Sequence, residues 1–185
     1  MNENVPKWIL IHTSDVLTSV LKDQLSSINK YHQWRGFPKS FTGYYIGYHA
    51  LVSNGKLYRT REDTEEGSHC NQQDNGVSLN FQSLGICIAG DHDLETVSPQ
   101  DLALLKKQVQ EWQEKYNIPP ERVVAHRKFT PWKTCPGTLL TDEWIKGLTI
   151  KKDSEQQKKI EEITKKIGLL NRLVELYREL LTIKK

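Results

Sequence analysis

The residues best suited to chemistry in this sequence are two histidines and a cysteine that lie far apart along the chain. His126 and Cys135 are nine residues apart in the segment 123–137, and His12 ends the apolar run that begins at Trp8. Imidazole and thiolate are ligands that Zn²⁺ prefers, and a catalytic zinc takes three protein ligands and keeps its fourth position open. A buried strand would deliver His12 to the rim of a sheet. The sequence therefore predicts a zinc site formed by His12, His126 and Cys135.

The elements that position these residues alternate along the chain. Strands are predicted at 8–12, 45–52, 56–59, 83–90 and 123–125, with an Asn-Gly hairpin turn at 54–55. Helices are predicted from Ser14 or Asp15 to Ile28, from Ser98 to the Pro119-Pro120 pair, and at 138–146. Residues 31–43 and 62–80 are predicted to be loops, and residues 91–93 (Asp-His-Asp) a solvated turn rather than a metal site.

Length and composition place the chain among ordinary globular proteins. Its 185 residues suit one domain and an appendage, and 37% hydrophobic residues are enough for a core. No apolar run approaches the ~18 residues of a membrane span. The first residues lack the basic and apolar regions of a signal peptide, which predicts synthesis in the cytoplasm.

The formal net charge of +3 is unevenly distributed. Residues 151–185 carry a net charge of +4, so residues 1–150 are nearly neutral at −1. This balance is typical of a solvated basic helix or of weak attraction to anionic wall polymers or lipid headgroups. It is not the charge pattern of a nucleic-acid-binding protein, so no nucleic-acid partner is expected.

Further motifs around the predicted zinc ligands resemble a known enzyme family. In chain order they are Ile11-His-Thr-Ser14, Gly47-Tyr-His-Ala50, Gly55–Arg61, Gly67-Ser-His69, Ser83–Gly90, and His126 with Lys133-Thr-Cys-Pro-Gly137. Six motifs in this order make the chain similar to the zinc-dependent type 2 N-acetylmuramoyl-L-alanine amidases, which include phage lysozymes and peptidoglycan-recognition proteins. The resemblance covers about residues 8 to 147. It implies an α/β fold with a central mixed β-sheet flanked by helices, and Zn²⁺ as the cofactor.

The resemblance also implies roles for residues beside the metal. Tyr48 and Lys133 match catalytic residues of the phage enzymes, where a phenol orients water or relays its proton and a cation holds the developing oxyanion. His69 and Arg61 lie in motifs that imply contact with the substrate.

The other aromatic and histidine side chains have less specific interpretations. Trp34 and Phe37 lie in the predicted loop 31–43, where they could form the floor of a sugar-binding groove or cover the core, and both alternatives stay open. His49 should point away from Tyr48 and is expected to be packed or to support the site from behind. His32 is expected at the surface. Cys70 and Cys87 are expected to be free thiols, with a disulfide as the alternative.

The reaction that the resemblance implies is hydrolysis of the amide between N-acetylmuramic acid and L-alanine of peptidoglycan by zinc-activated water. A phage or prophage endolysin of this type would act on the cell wall after its release from the cytoplasm. Some recognition-only relatives lack the cysteine ligand, so Cys135 favours hydrolysis. The alternative is a non-catalytic peptidoglycan-binding module that its C-terminal helix multimerises.

Residues 149–185 are predicted to form a helical extension of a catalytic domain at 1–148. Seven apolar residues recur there at alternating spacings of three and four, as at positions a and d of a coiled coil: Ile160, Ile163, Ile167, Leu170, Val174, Tyr177 and Leu181. A second stripe widens this face: Leu169, Leu173, Leu176, Leu180 and Ile183. The helix could form a homo-oligomer, fold onto the catalytic domain, or lie on a membrane or outer envelope through its basic edges.

Overall fold

The computed structural model describes residues 3–150 and 154–183, and within the last helix the side chains of residues 162–178. The chain divides into two compact units, Met1–Ile150 and Lys151–Lys185. The first unit is an α/β domain, and the second contains one long helix. Among the described residues, no helix has the length and apolar character needed to cross a membrane.

Seven strands and four helices make up the described structure. The strands are β1 (Trp8–Thr13), β2 (Ala50–Ser53), β3 (Lys56–Arg59), β4 (Gln73–Asp74), β5 (Val77–Ser78), β6 (Ser83–Ile88) and β7 (Val123–Ala125). The helices are α1 (Gln24–Trp34), α2 (Pro99–Tyr116), α3 (Asp142–Lys146) and α4 (Ser154–Ile183). Short 3₁₀ turns lie at Leu79–Phe81, Pro120–Arg122 and His126–Lys128.

A five-stranded mixed sheet forms the centre of the first unit. Its strand order is β3-β2-β6-β1-β7, with parallel pairing throughout except for the antiparallel β2–β3 hairpin. β4 and β5 form a separate two-stranded ribbon. The predicted α/β fold with a central mixed sheet is therefore confirmed.

Both faces of the sheet are covered, because the central strands are apolar on both sides. Leu84, Ile86 and Ile88 of β6 belong to the main core, where Leu105, Val109 and Trp112 of α2 also lie. The opposite face of β6 presents Cys87 to a smaller cluster that includes Leu25 and Ile28 of α1. A sheet buried on both faces is typical of parallel α/β proteins and explains the uninterrupted apolar runs in the sequence.

The first helix differs from its prediction. It begins at Gln24, because the Asp23 side chain caps it by accepting the Ser26 N–H at 3.1 Å. Asp15 instead has a left-handed φ of 59°, which interrupts a helix at the predicted start. The helix then continues to Trp34, into a segment predicted as loop.

Other local predictions are closer to the structure. Asn54 and Gly55 both have positive φ, at 53° and 70°, as the Asn-Gly turn of a tight hairpin requires. The strand before this turn is shorter than predicted, because residues 45–49 form a loop with bends at 47–49 rather than part of the sheet. Helix α2 begins as predicted, with the Ser98 hydroxyl accepting the Asp101 N–H at 3.1 Å and Pro99 at the first helical position.

A saturated polar cluster joins the loop after β3 to α2. One oxygen of the buried Asp63 carboxylate accepts the Trp112 indole N–H at 3.0 Å and a hydrogen bond from Arg59. The other oxygen accepts hydrogen bonds from the Lys115 ammonium and the Tyr116 hydroxyl, each at 2.8 Å. We refer to these five residues as the Asp63 cluster. Because a buried carboxylate is stable only when its oxygens are paired, this cluster fixes the loop on the helix.

Candidate active site

The sheet register brings two of the predicted metal ligands together. β1 and β7 are parallel neighbours in which Ile11 lies beside Ala125. The next residue of each chain segment is a histidine, so His12 and His126 lie at the same carboxyl edge of the sheet. Their ring centroids are 4.4 Å apart, and both side chains are buried. Ligand sites of open α/β sheets commonly lie at this edge.

Cys135 completes the group from the loop that follows β7. Its Sγ lies 3.9 Å from Nδ1 of His12, and the donor atoms of His12, His126 and Cys135 all lie within 4.8 Å of one another. We refer to these three residues as the metal-ligand cluster. The structure thus gathers residues separated by more than a hundred positions in the sequence.

Arg127 and Asp93 hold the Cys135 loop in place, a role that the sequence analysis assigned to neither of them. The Arg127 N–H donates to the Cys135 carbonyl at 2.9 Å, and its guanidinium donates to the carbonyls of Gly137 and Leu140. The Asp93 carboxylate accepts the Thr134 hydroxyl and the Thr138 N–H, each at 2.7 Å. The sequence signals for these roles were weak: Arg127 directly follows His126, and Asp93 lies in the Asp-His-Asp turn after β6.

Burial keeps the metal-ligand cluster uncharged. It lowers the pKa of His126 to about 4, with a further contribution from the charge of Lys133. Burial also lowers the pKa of His12 well below its usual value, and neighbouring His126 and His69 act in the same direction. The pKa of the Cys135 thiol rises to about 11 for the same primary reason, desolvation. The cluster therefore holds two neutral imidazoles whose free lone pairs suit a cation.

The donor set fits zinc. Two imidazoles and one thiolate are ligands of the type that Zn²⁺ binds, and three protein ligands leave a position for a reactant. Cys135 would lose its proton when the metal binds, because only the thiolate is a strong ligand. A dication would also favour that deprotonation, which burial alone disfavours.

Tyr48 and Lys133 lie beside this cluster. The Tyr48 ring is 5.0 Å from the His12 ring, centroid to centroid, and is partly buried. Burial, with the neighbouring thiols of Cys87 and Cys135, raises the pKa of Tyr48 well above 10, so its phenol is protonated at neutral pH. Lys133 is exposed, and its positive charge acts to lower the pKa of His12 and of His126. It acts in the same direction on Cys135, where burial outweighs it and raises the pKa.

The two polar residues predicted to contact substrate lie in different surroundings. His69 lies behind His12, with its Nδ1 at 3.1 Å from His12 Nε2. Arg61 is 2% exposed, and its guanidinium donates to the carbonyls of Ile46, Pro38 and Glu66. These bonds fasten the loop segments around Arg61, so the predicted substrate contact by Arg61 is corrected to a structural role.

Trp34 and Phe37, whose roles the sequence left open, differ in how far they are exposed to solvent. Trp34 at the end of α1 is 81% exposed and stacks against Tyr31 at 5.9 Å. Phe37 is partly buried and stacks against His32 at 4.5 Å. The predicted surface position of His32 is wrong, because His32 is buried and its Nδ1 accepts the Gly47 N–H at 3.1 Å.

The Asp-His-Asp turn is less solvated than predicted. His92 is buried, and its Nδ1 donates to the Glu95 carbonyl at 2.9 Å. Oxygens of Asp15, Asp91 and Asp93 lie within 4.8 Å of one another, but Asp93 uses both of its oxygens to hold the Cys135 loop. Cys70 and Cys87 are free thiols, as expected, and Cys135 forms no disulfide either.

Comparisons with known proteins identify the family to which the chain belongs. The family model described as N-acetylmuramoyl-L-alanine amidase matches residues 2–138. No curated protein sequence matches the chain at a significant level. The solved structure of the N-acetylmuramoyl-L-alanine amidase LysC from Clostridium intestinale is 28% identical, with a TM-score of 0.61, and the match covers 78% of this chain and 85% of LysC.

More distant structures share the fold. The Ph2119 endolysin from a Thermus scotoductus bacteriophage is 24% identical, with a TM-score of 0.57 over 77% of this chain and 84% of its own. Bumblebee PGRP-SA is 21% identical, with a TM-score of 0.60 over 83% of this chain and 90% of its own. With the family model matching most of its length, the chain belongs to the N-acetylmuramoyl-L-alanine amidase family and is a peptidoglycan hydrolase of that class.

Proposed function

We propose that the chain cleaves the amide between N-acetylmuramic acid and L-alanine of peptidoglycan with a zinc ion held by His12, His126 and Cys135. The observation that carries this proposal is the convergence of these three donor atoms to within 4.8 Å at the carboxyl edge of the sheet. A closed structural zinc site would need a fourth protein ligand, and the three-residue group leaves that position to a reactant.

Amide hydrolysis requires an activated water, a stabilised oxyanion and a proton for the leaving nitrogen. A bound zinc ion supplies Lewis acidity, which activates water at neutral pH and polarises the scissile carbonyl. The remaining tasks fall to side chains of the chain itself.

Lys133 is the residue we assign to oxyanion stabilisation. Its positive charge acts to lower the pKa of each member of the metal-ligand cluster, although burial outweighs this effect at Cys135. Negative charge develops on the carbonyl oxygen as the amide is attacked, and a nearby ammonium lowers the energy of that state. Because Lys133 is exposed, it can reach a substrate without displacing the ligands.

Tyr48 is the residue we assign to hydrogen bonding at the reacting group. With a pKa well above 10, its phenol carries a proton at neutral pH and can donate a hydrogen bond. It cannot act as an initial base in that state, so orientation of the water or of the scissile carbonyl is the role that its chemistry supports. Trp34 is the aromatic side chain we assign to sugar contact, because it is exposed and lies on the same helix as His32, whose ring centroid is 5.5 Å from that of Tyr48.

Two further proposals concern where the protein acts and how it assembles. We assign the activity to the cell wall after release from the cytoplasm, as for an endolysin. We also assign self-association to α4, whose apolar residues Ile163, Ile167 and Leu170 are each at least 54% exposed at heptad spacing. The first and last members of that series, Ile160 and Leu181, have side chains outside the described residues.

The experiment that tests the activity is release of free L-alanine amino groups from purified peptidoglycan. Zinc-loaded protein should release them, chelator-treated protein should not, and added zinc should restore the release. Full activity in the chelated sample would contradict the metal mechanism. No release by protein that binds one zinc per chain would favour the non-catalytic binding module instead.

A further inference from the structure

Behind the metal-ligand cluster, the two ring nitrogens of His12 face different partners. Nδ1 faces the Cys135 Sγ at 3.9 Å, on the side where the three donors converge. Nε2 faces Nδ1 of His69 at 3.1 Å, on the opposite side of the ring. One ring therefore connects the prospective metal to a second imidazole.

The direction of this hydrogen bond decides whether His12 can bind a metal. A nitrogen that binds a metal must offer a lone pair, so a neutral His12 that uses Nδ1 carries its proton on Nε2. Nε2 must then donate, and His69 Nδ1 must accept. If the proton lay on His69 Nδ1 instead, His12 would carry its own proton on Nδ1, in the place of the metal.

Two glycines make room for the His69 ring. A Cβ built on Gly85, inside strand β6, would lie 2.7–2.8 Å from three atoms of that ring. A Cβ on Gly67 would lie 2.5 and 2.7 Å from two ring atoms. Neither glycine has the positive φ that would by itself favour glycine, so space for the ring is what these positions provide. Glycine weakens a strand interior and often marks close approach of another group.

The surrounding backbone also fixes the position of His69. The His69 N–H donates to Asn80 Oδ1 at 3.0 Å, and the adjacent Ser68 N–H donates to the Gly47 carbonyl at 2.9 Å. Behind the ring lies buried His49, whose Nδ1 accepts the Gly85 N–H and whose Nε2 can therefore donate to the Glu65 carbonyl. The His49 and His69 rings are 5.6 Å apart in an edge-to-face arrangement.

We propose that His69 is a positioning residue for zinc, which accepts the His12 Nε2–H and so holds His12 with its Nδ1 lone pair directed at the metal. The slot formed by Gly67 and Gly85 holds His69 in place for this task. The partner of a metal-bound histidine is usually a carboxylate, a carbonyl or water, and here it is a second imidazole. This inference rests on the proposed zinc site and assigns His69 to the support of a ligand.

Zinc affinity of the full chain tests the inference, measured by competition with a chromophoric chelator. The side chains of leucine and asparagine have nearly the same shape, and only asparagine offers an acceptor near the place of Nδ1. His69→Leu should raise the zinc Kd by about 10–100-fold, and His69→Asn should recover most of the affinity. Gly85→Ala should weaken binding by displacing the ring, whereas Gly168→Ala, with open space around it on α4, should not.

Two further readouts separate positioning from folding. Melting curves of the chelated proteins should show that both His69 variants stay folded. In zinc-loaded protein with ¹⁵N-labelled histidine, the His12 Nε2–H should exchange slowly with water, and His69→Leu should abolish that protection.

The outcomes distinguish this inference from the proposed function. Unchanged zinc affinity in His69→Leu, or equal losses in the Leu and Asn variants, would overturn the positioning role while the zinc site stands. If wild-type protein binds no zinc, or if His126→Ala leaves binding unaltered, the metal centre itself is overturned and this inference with it.

Discussion

The metal-ligand cluster and the Asp63 cluster are both buried and polar, but they offset the cost of desolvation in different ways. The Asp63 carboxylate is ionised and accepts hydrogen bonds from four side chains of neighbouring segments. The metal-ligand cluster contains no charge of its own, because desolvation keeps its imidazoles and its thiol neutral. The Asp63 cluster is complete as folded, and we propose that a cation completes the metal-ligand cluster.

This difference separates a structural polar network from a functional one. A saturated buried network stabilises the fold, and removal of one partner leaves a desolvated group behind. A network whose lone pairs converge without a partner adds little to stability and creates affinity for a ligand. Substitutions in the two clusters should therefore affect different measurements, and the following predictions test this in order of expected effect.

The largest effect is expected for Cys135→Ser. Loss of the thiolate should remove bound zinc and lower amidase turnover by at least about a thousandfold, because a catalytic metal contributes several kcal/mol to the transition state. Metal content and the release of free L-alanine amino groups from peptidoglycan measure the two losses. Cys70→Ser, at a buried free cysteine that is not one of the three donors, is the matched control. The chelated Cys135→Ser protein should melt close to wild type, and a large drop would assign Cys135 to the fold instead.

Lys133→Ala should separate metal binding from catalysis. Turnover should fall by about 100-fold because the developing oxyanion loses its cation, whereas zinc content should stay at one ion per chain. Lys128→Ala, which removes an exposed lysine of the same segment, provides the control. Unchanged turnover in Lys133→Ala would exclude this lysine from the reaction.

Asp63→Asn should lower the stability of the fold and leave zinc binding unchanged, the reverse of what is expected for Cys135→Ser. It should lower the free energy of unfolding by about 3 kcal/mol, because Lys115 and Arg59 lose a buried ionic partner. Zinc affinity should not change at temperatures where the variant is folded. Glu111→Gln removes one member of the exposed Lys107–Glu111 pair, whose atoms are 3.9 Å apart, and should cost less than about 0.5 kcal/mol. Urea denaturation of the chelated proteins measures both, and equal costs would contradict the special status of Asp63.

The free energy of unfolding should also depend on pH through the ionisation of Asp63. Burial acts to raise the pKa of Asp63, but hydrogen bonds from Lys115, Arg59 and Tyr116 outweigh it and lower the pKa to about 2. The folded-state pKa lies below the unfolded value of about 3.9, so this stabilisation is present above pH 4 and is lost as the pH falls towards 2. Its size is about 2 kcal/mol. The stability difference between wild type and Asp63→Asn should therefore narrow as the pH falls from about 4 to about 2, and a constant difference over this range would contradict the assignment.

Substitutions in α4 are expected to have the smallest effect on the zinc affinity and on the unfolding free energy of the catalytic unit. Leu170→Lys should lower the molar mass measured by light scattering if the exposed heptad residues mediate self-association, because Leu170 is 66% exposed at a predicted d position. Asn171→Lys makes the same charge change at the neighbouring position and should leave the mass unaltered. Zinc affinity and unfolding free energy of the catalytic unit should match wild type in both. A monomeric wild-type protein would exclude self-association.

Local chemistry made much of the fold predictable from the sequence. The apolar runs of β1 and β6, the Asn54-Gly55 turn and the Ser98-Pro99 helix start each depend on interactions between near neighbours, and each is found in the structure. The start of α1 was missed because several polar residues could cap a helix there. Asp23 was selected by the packing of Leu25 and Ile28 under the sheet, which a local pattern does not contain.

The sequence by itself determined which residues could bind a metal, because only their side-chain chemistry was needed to recognise His12, His126 and Cys135. The tertiary structure decided what surrounds them. The parallel register of β1 and β7 places two histidines side by side, and the Gly67–Gly85 slot places His69 behind His12. The tertiary structure also assigns Arg61, predicted to contact substrate, to holding loop segments together. Its burial and its carbonyl partners come from segments distant in sequence. Such long-range contacts depend on how strands and loops meet in space, and no local sequence pattern encodes that.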